Sequence, residues 1–244
     1  MDEPHRNRGV HNKDIQHAAA LLQHRYNNFR HYNKTNPLWE LIFIVCSLTT
    51  TEPVYLRTFS ALRRRFPTFS ALMQAPTKEI SSAIKEGGQY RQKARVIKNA
   101  LSKIHQRFGR LTLAPLASMP DDECETFLTS LPGVGKKVAR CVMMYSLGRK
   151  TFPVDTHCWR IANRLGWITS TQSNKFPVAK EMDDLQKLIP EDIRLSLHIN
   201  LISLGREFCR AKKPLCIPCI LRDVCAHAAW SLAVTSSDGF ILTP

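Results

Sequence analysis

The chain has 244 residues, enough for one large domain or two modest ones. Thirty-five Lys and Arg against twenty Asp and Glu give a net charge of +15, so we expect a polyanionic partner, with nucleic acid as the first candidate. No apolar run is long enough to cross a bilayer and no secretory signal is visible, which predicts an intracellular protein with reduced cysteines and no membrane partner.

Apolar residues recur at helical spacing along most of the chain, and no segment alternates with the period of two that is typical of strands. We therefore predict an all-α protein whose short helices are separated by Pro and Gly. The predicted helices cover, in chain order, residues 14–29, 38–48, 53–66, 71–73, 78–84, 92–108 and 121–131, with one more helix after Gly135 and another after Asp155.

The first motif that indicates a chemical function is a glycine-containing turn between two predicted helices. It consists of Leu131, Pro132, Gly133, Val134, Gly135, Lys136 and Lys137. The two glycines permit a sharp turn, and the free backbone N–H groups at the start of the next helix can hold an anion such as a DNA phosphate. The alternative is an ordinary helix–helix turn, which a lone Gly-x-Gly would favour.

Asp155 is the second candidate, in the segment Phe152-Pro153-Val154-Asp155-Thr156-His157 before a predicted helix. Its position suits an N-cap, whose carboxylate accepts backbone N–H groups. Considered alone, this segment indicates a capping residue and no more.

Four cysteines within seventeen residues form the third motif: Cys209, Cys216, Cys219 and Cys225. Four close thiolates suit either a tetrahedral zinc ion or a cubane iron–sulfur cluster, and the spacing alone does not decide between them. The other four cysteines are scattered through apolar segments, where we expect small buried side chains.

The glycine-containing turn of residues 131–137, called the hairpin below, occurs together with the Val-Asp-Thr-His segment and the 6-2-5 cysteine spacing. This combination resembles the endonuclease III family of helix-hairpin-helix DNA glycosylases. The resemblance implies a six-helix barrel domain over residues 30–149 that contains the hairpin. It also implies a discontinuous cluster domain from residues 1–29 and 150–226, with DNA bound between the domains. Residues 227–244 are expected to form a disordered tail.

The same resemblance implies a [4Fe–4S] cluster on the four cysteines and a bifunctional glycosylase and abasic-site lyase of base excision repair. Lys137 would be the nucleophile, with Lys136 as its neighbouring rival, and Asp155 would stabilise the transition state. The implied partner is double-stranded DNA with a damaged or modified base or an abasic site, bound by a monomer. The implied DNA contacts are Leu131, Gly133, Val134, Gly135, Lys136, Arg140, His157, Arg210, Lys212 and Lys213.

Two positions depart from relatives that act on oxidised pyrimidines. Thr49 stands where those relatives have a gap-filling glutamine, and Gln89 stands where they have an apolar wedge. A damaged or modified pyrimidine is the first expectation for the excised base. The segment from Phe152 to Trp167 also resembles plant 5-methylcytosine glycosylases, so a modified cytosine or a mismatch is the alternative. A non-catalytic DNA-binding protein is the alternative outside the enzymes.

Overall fold

The computed structural model describes residues 11–27, 32–170 and 176–230. Helices, short 3-10 turns and loops account for all of these residues, and no strand occurs among them. This confirms the predicted all-α class. No helix within these ranges is both long and apolar enough to cross a membrane.

The chain divides into two compact units. The first comprises residues 32–149, and its helices are α2 (Pro37–Ser47), α3 (Glu52–Arg65), α4 (Phe69–Gln74), α5 (Thr77–Ala83), α6 (Tyr90–Phe108), α7 (Asp121–Thr129) and α8 (Lys136–Leu147). The second combines the described residues before Tyr32 with those from Lys150 onward. Its helices are α1 (Asn12–Tyr26), α9 (Thr156–Leu165), α10 (Ala179–Leu188) and α11 (Arg194–Glu207).

Helix α2 is the central element of the first unit. Asn36 starts it, because its side-chain oxygen accepts the N–H groups of Leu38 and Trp39 at 3.1 Å each. Residues 41–46 are all apolar and buried, so this part of the helix presents apolar side chains on every face and packs against α3, α6 and α8. A helix that is apolar all round must lie inside the fold.

The second unit is built on the packing of α1 and α9 against α11. Ile15 and Leu22 of α1 enter one core with Phe152, Ile161 and residues of α11. Glu207 at the end of α11 also accepts a hydrogen bond from the hydroxyl of Tyr26 at 2.7 Å. The segment before the first unit is thereby joined to the segment that follows it.

The described ends of most predicted helices differ from the expected ones by one or two residues, and there are larger differences as well. Helix α7 ends at Thr129, because Leu131 already belongs to the turn that follows. Helices α10 and α11 were not predicted. The expected disorder of residues 227–244 is wrong for residues 227–230, which are helical, while residues 231–244 lie outside the described residues, as do residues 1–10 and 28–31.

Candidate active site and nucleic-acid interface

The predicted hairpin connects α7 to α8. Leu131 and Val134 are buried at 1% and 4% exposure, and the Val134 N–H donates to the Leu131 carbonyl at 3.0 Å. Gly133 has a φ of +82° and lies so close to α6 that a Cβ would be 2.4 Å from Cγ2 of Val96. Since the side chains of Leu131 and Val134 face the core, only their backbone can contact DNA. The exposed glycines lie at the surface, next to the N-terminus of α8.

Lys136 and Lys137 open α8 in different surroundings. The Lys136 ammonium lies 3.4 Å from a carboxylate oxygen of Glu125 on α7. Glu125 also binds Arg140, at 2.8 Å and 3.2 Å. Arg140 is only 3% exposed, so we correct the prediction that it contacts DNA: its guanidinium is held inside the unit by this ion pair.

Lys137 is half-buried, and Glu40 of α2 lies within electrostatic range of its ammonium. Glu40 is fully buried and accepts hydrogen bonds from the Lys34 backbone N–H at 2.6 Å and from the Asn33 amide. Burial raises the pKa of Glu40 to about 6, although these donors and the positive charges of Lys34 and Lys137 act in the opposite direction. Lys136 therefore pairs with Glu125, whereas Lys137 lies within electrostatic range of the buried carboxylate of α2.

Asp155 occupies the N-cap position of α9. Its Oδ1 accepts the backbone N–H of Cys158 at 2.8 Å, which fixes the carboxylate at the positive end of the helix. Val154, which precedes Asp155, and Cys158, which donates this hydrogen bond, are both buried, so the cap is held by the core beneath it. The predicted capping role is confirmed, and it leaves a catalytic role open.

His157 lies in the first turn of α9 and is held from two sides. Arg160 donates to its Nδ1 at 3.0 Å, and Gly205 of α11 lies so close that a Cβ there would be 2.3 Å from the same nitrogen. Burial lowers the pKa of His157, although the charge of Asp155 and a backbone hydrogen bond with Gly205 act in the opposite direction.

Thr49 and Gln89 share an unusual backbone conformation. Their φ angles are 54° and 46°, in the left-handed region that L-residues other than Gly rarely adopt. Thr49 follows the end of α2, and Gln89 is the N-cap of α6 after Gly88. Residues held at such angles are found preferentially at functional sites.

The four clustered cysteines are all partly exposed, and Cys219 and Cys225 are each close enough to Cys209 to influence one another electrostatically. No group of three or more His, Cys, Asp or Glu side chains among the described residues has the spacing that one bound ion needs. Four thiols are a donor set that suits either a zinc ion or an iron–sulfur cluster.

Two arginines of α9, one helical turn apart, hold the cysteine segment. Arg160 donates to the Cys209 carbonyl at 2.9 Å and 3.0 Å. Arg164 donates to Cys209 Sγ at 3.1 Å and to the carbonyls of Arg210 and Ala211 at 2.8 Å and 3.2 Å. Sequence reasoning did not assign these arginines a role, although their i, i+4 spacing places them on one helix face.

The predicted basic loop lies between Cys209 and Cys216. Arg210, Lys212 and Lys213 are all exposed, and Lys213 has a φ of 52°. The Leu215 N–H donates to the Phe208 carbonyl at 2.9 Å and closes the loop at its base. Its three cations therefore project from a loop that is fixed at both ends.

Residues 45–191, more than half of the chain, match the model of the HhH-GPD superfamily of base excision DNA repair proteins. The chain belongs to this superfamily. It is 32% identical over 196 residues to endonuclease III of Thermotoga maritima, a match that covers 80% of this chain and 85% of that protein. The predicted resemblance to the endonuclease III family is thus confirmed.

Two further HhH-GPD comparisons extend this result. An Arabidopsis thaliana protein named provisionally as a DNA glycosylase is 35% identical over 178 residues, which cover 73% of this chain but only 59% of that protein. A solved structure of a trapped covalent intermediate between endonuclease III and DNA aligns with a TM-score of 0.78 at 26% identity. That alignment covers 91% of this chain and 99% of the endonuclease chain.

Proposed function

We propose that this protein is a bifunctional DNA glycosylase and abasic-site lyase, with Lys137 as the nucleophile and Asp155 as the carboxylate that stabilises the transition state. The observation that carries the proposal is the placement of Lys137 at the start of α8, directly behind the hairpin. The endonuclease III homologue and the trapped endonuclease III–DNA intermediate support it. A non-catalytic DNA-binding protein would need the hairpin but not this amine.

The contact with Glu125 distinguishes the two hairpin lysines. The Lys136 ammonium lies 3.4 Å from a carboxylate oxygen of Glu125 and is engaged in an ion pair with α7. The resemblance to endonuclease III assigns the nucleophile to the next residue, Lys137, and the ion pair of Lys136 agrees with that assignment.

The proposed reaction begins with the target nucleotide turned out of the duplex. The neutral Nζ of Lys137 attacks C1′ of the sugar, and the bond from C1′ to the base breaks as the base leaves with its electron pair and gains a proton. Sugar ring opening gives an imine between Lys137 and C1′. Loss of a proton from C2′ then expels the 3′ phosphate by β-elimination, which cleaves the strand.

Asp155 would act on the charge that develops at the sugar as the base departs. Its carboxylate is held in one orientation by the N–H of Cys158, so no reorganisation is needed when positive charge appears. Such preorganised groups contribute on the order of 3–4 kcal/mol to the rate. A carboxylate in this position can also assist the proton transfers.

DNA would be held at two basic sites. The first is the exposed backbone at Gly133 and Gly135 with the N-terminus of α8, which can bind a phosphate. The second is the loop that carries Arg210, Lys212 and Lys213, and His157 in the first turn of α9 is a further proposed contact. Thr49 and Gln89 would enter the space that the extruded base leaves. The proposed assembly is a monomer on double-stranded DNA that contains a damaged or modified base or an abasic site.

A [4Fe–4S] cluster would be held by Cys209, Cys216, Cys219 and Cys225, in a discontinuous domain formed by the second unit. When bound, such a cluster links its four ligands and stabilises a domain with a small core. The residues of this chain would then fix the basic loop, since Arg164 binds both the Cys209 sulfur and the two carbonyls that follow.

The excised base is proposed to be a damaged or modified pyrimidine. The polar Gln89 in place of an apolar wedge, and Thr49 in place of glutamine, keep a modified cytosine such as 5-methylcytosine as a second candidate. Glutamine can hydrogen-bond the base left without a partner, which leucine cannot do. Duplexes with single modified bases, screened with one preparation, would distinguish the two candidates.

The test of the mechanism is borohydride trapping on DNA with an abasic site. Borohydride reduces the imine to a stable amine, so the wild-type protein should become covalently attached to DNA. Lys137→Ala should give no adduct while it still binds DNA, and Lys136→Ala is the matched control that should trap. Asp155→Asn should excise a base slowly but trap well on a pre-formed abasic site, where base departure is complete. Trapping by Lys137→Ala and not by Lys136→Ala would move the nucleophile by one residue, and no trapping by the wild type would refute the lyase.

A further inference from the structure

Lys93, in the first turn of α6, is a buried cation that the proposed reaction does not use. Its residue is 2% exposed, and its Nζ donates to the carbonyl of Cys46 at 2.9 Å and to that of Gly87 at 2.7 Å. Burial lowers the pKa of this amine, as is usual for a cation in an apolar interior. An apolar residue in this place would avoid the free-energy cost of burying a charged group, so the burial of Lys93 and its two hydrogen bonds require an explanation.

The two carbonyls belong to the segments that carry the strained residues. Cys46 lies in the last turn of α2, where helix carbonyls have no partner within the helix, and Thr49 follows three residues later. Gly87 lies two residues before Gln89. The side chain of Lys93 thus joins the backbone before one left-handed residue to the backbone before the other.

Lys93 also holds Gln89 through its own backbone. Its N–H donates to the Gln89 carbonyl at 3.0 Å, so the same residue bonds on both sides of Gly88. Gly87 is confined on its other side by Thr58 of α3, because a Cβ at Gly87 would lie 2.9 Å from Cγ2 of that buried threonine. The turn that presents Gln89 is therefore enclosed between α3 and the amine of Lys93.

A left-handed backbone persists at a residue other than Gly only where its surroundings hold it. Thr49 and Gln89 are the two such residues of the unit formed by residues 32–149, all of which are described. Lys93 is the side chain that bonds to both of their segments. Without it, two buried carbonyls would lose their donors and each turn could relax separately.

We propose that Lys93 is a positioning residue that keeps Thr49 and Gln89 at a fixed separation, so that both enter the duplex together when a nucleotide is extruded. The inference rests on the proposed function, because it needs these two residues to act in the opened duplex. The inference predicts that loss of Lys93 lowers the activity on double-stranded DNA and leaves the activity on single-stranded DNA unchanged.

The experiment compares trapping rates on the same abasic-site oligonucleotide, single-stranded and in a duplex, with borohydride as the reporter. Lys93→Met keeps the apolar stem and removes both hydrogen bonds. We expect its rate on the duplex to fall at least about tenfold relative to its rate on the single strand. Opening the duplex costs unstacking energy, and Thr49 and Gln89 no longer offset this energy together. Leu101→Ala, a fully buried change on the same helix, is the control for lost stability and should leave this ratio unchanged.

A second readout uses 2-aminopurine placed opposite the abasic site, whose fluorescence rises when the base is unstacked. The rise on binding should be smaller for Lys93→Met than for Leu101→Ala under conditions where both are folded. If Lys93→Met is insoluble, Lys93→Gln, which is too short to reach both carbonyls, replaces it. A duplex-to-single-strand ratio equal to that of the wild type, in whichever variant is soluble, would overturn the proposal.

Failure of this proposal is distinguishable from failure of the proposed function. If the wild type does not trap on either oligonucleotide, the lyase assignment is wrong. If it traps but Thr49→Ala and Gln89→Ala show no duplex-specific loss, these residues do not act in the opened duplex and the proposal is overturned with them. If those two variants lose duplex activity and Lys93→Met does not, the positioning role alone is wrong.

Discussion

Replacement of Gly133 tests whether the hairpin backbone holds DNA. Gly133 has a φ of +82°, and a methyl group there would lie 2.4 Å from Cγ2 and 3.3 Å from Cγ1 of Val96 on α6. Distances under 3 Å require atoms to move. Since the obstacle is the branched end of a valine with few rotamers, we expect the hairpin to be displaced from α6 in Gly133→Ala.

Gly148 provides a matched control for this change. It follows α8 with a φ of +66°, and nothing lies within 4 Å of a Cβ built there. Gly148→Ala therefore adds only the left-handed strain, about 1–2 kcal/mol. Gly133→Ala adds the same strain and an overpacking cost of about 1–3 kcal/mol. For a chain of this size, each kcal/mol lowers Tm by about 2–4 °C.

The assay is binding to an abasic-site duplex over a series of salt concentrations, by fluorescence anisotropy. Gly133→Ala should bind more weakly, with a log–log salt slope about one unit smaller because one phosphate contact is lost. Gly148→Ala should keep the wild-type slope. Val96→Ala in combination with Gly133→Ala should restore part of the binding, because it removes the clashing methyl groups. Equal binding by Gly133→Ala and Gly148→Ala would refute the view that this backbone holds a phosphate.

Three further predictions concern the second unit. Gly205→Ala would place a Cβ 2.3 Å from Nδ1 of His157, so we expect displacement of His157 and weaker DNA binding with helix content retained by circular dichroism; wild-type affinity would argue against a DNA contact by His157. Cys216→Ser should abolish the visible absorbance of a cluster, whereas Cys141→Ser, at a buried thiol of α8, should keep it; equal absorbance in both would contradict the ligand assignment. Arg164→Leu should still bind the cluster, but its visible absorbance should decay faster under oxidation, because a hydrogen-bond donor to the Cys209 sulfur is removed. An unchanged rate of decay would contradict that role of Arg164.

The parts of the site that sequence reasoning located depend on short-range chemistry. The cap at Asp155 requires only a carboxylate before a helical pattern, and the turn at Gly133 requires only glycines between two helices. The cysteine segment was located by spacing alone. Each of these features involves residues within a few positions of one another, so the sequence contains all the information needed.

The parts that were missed depend on partners distant in the chain. From the sequence, Arg140 is expected to be a surface cation after the hairpin. In the structure it is buried and paired with the carboxylate of Glu125, fifteen residues earlier in the chain. Helix α11 was missed for a related reason. It is buried on several faces, including the polar His198 and Asn200, so the contrast between an apolar and a polar face, on which sequence prediction relies, is weak there.

Backbone strain adds an independent argument for the site. Among the described residues, the non-glycine positions with positive φ are Thr49, Gln89 and Lys213. Each had a proposed place at the DNA on grounds of sequence alone, two in the opened duplex and one on the basic loop. Glycine would adopt these angles at lower cost, so a purely structural turn favours glycine there. A threonine, a glutamine and a lysine at such angles, each costing about 1–2 kcal/mol, are best explained by what their side chains do beyond the backbone turn.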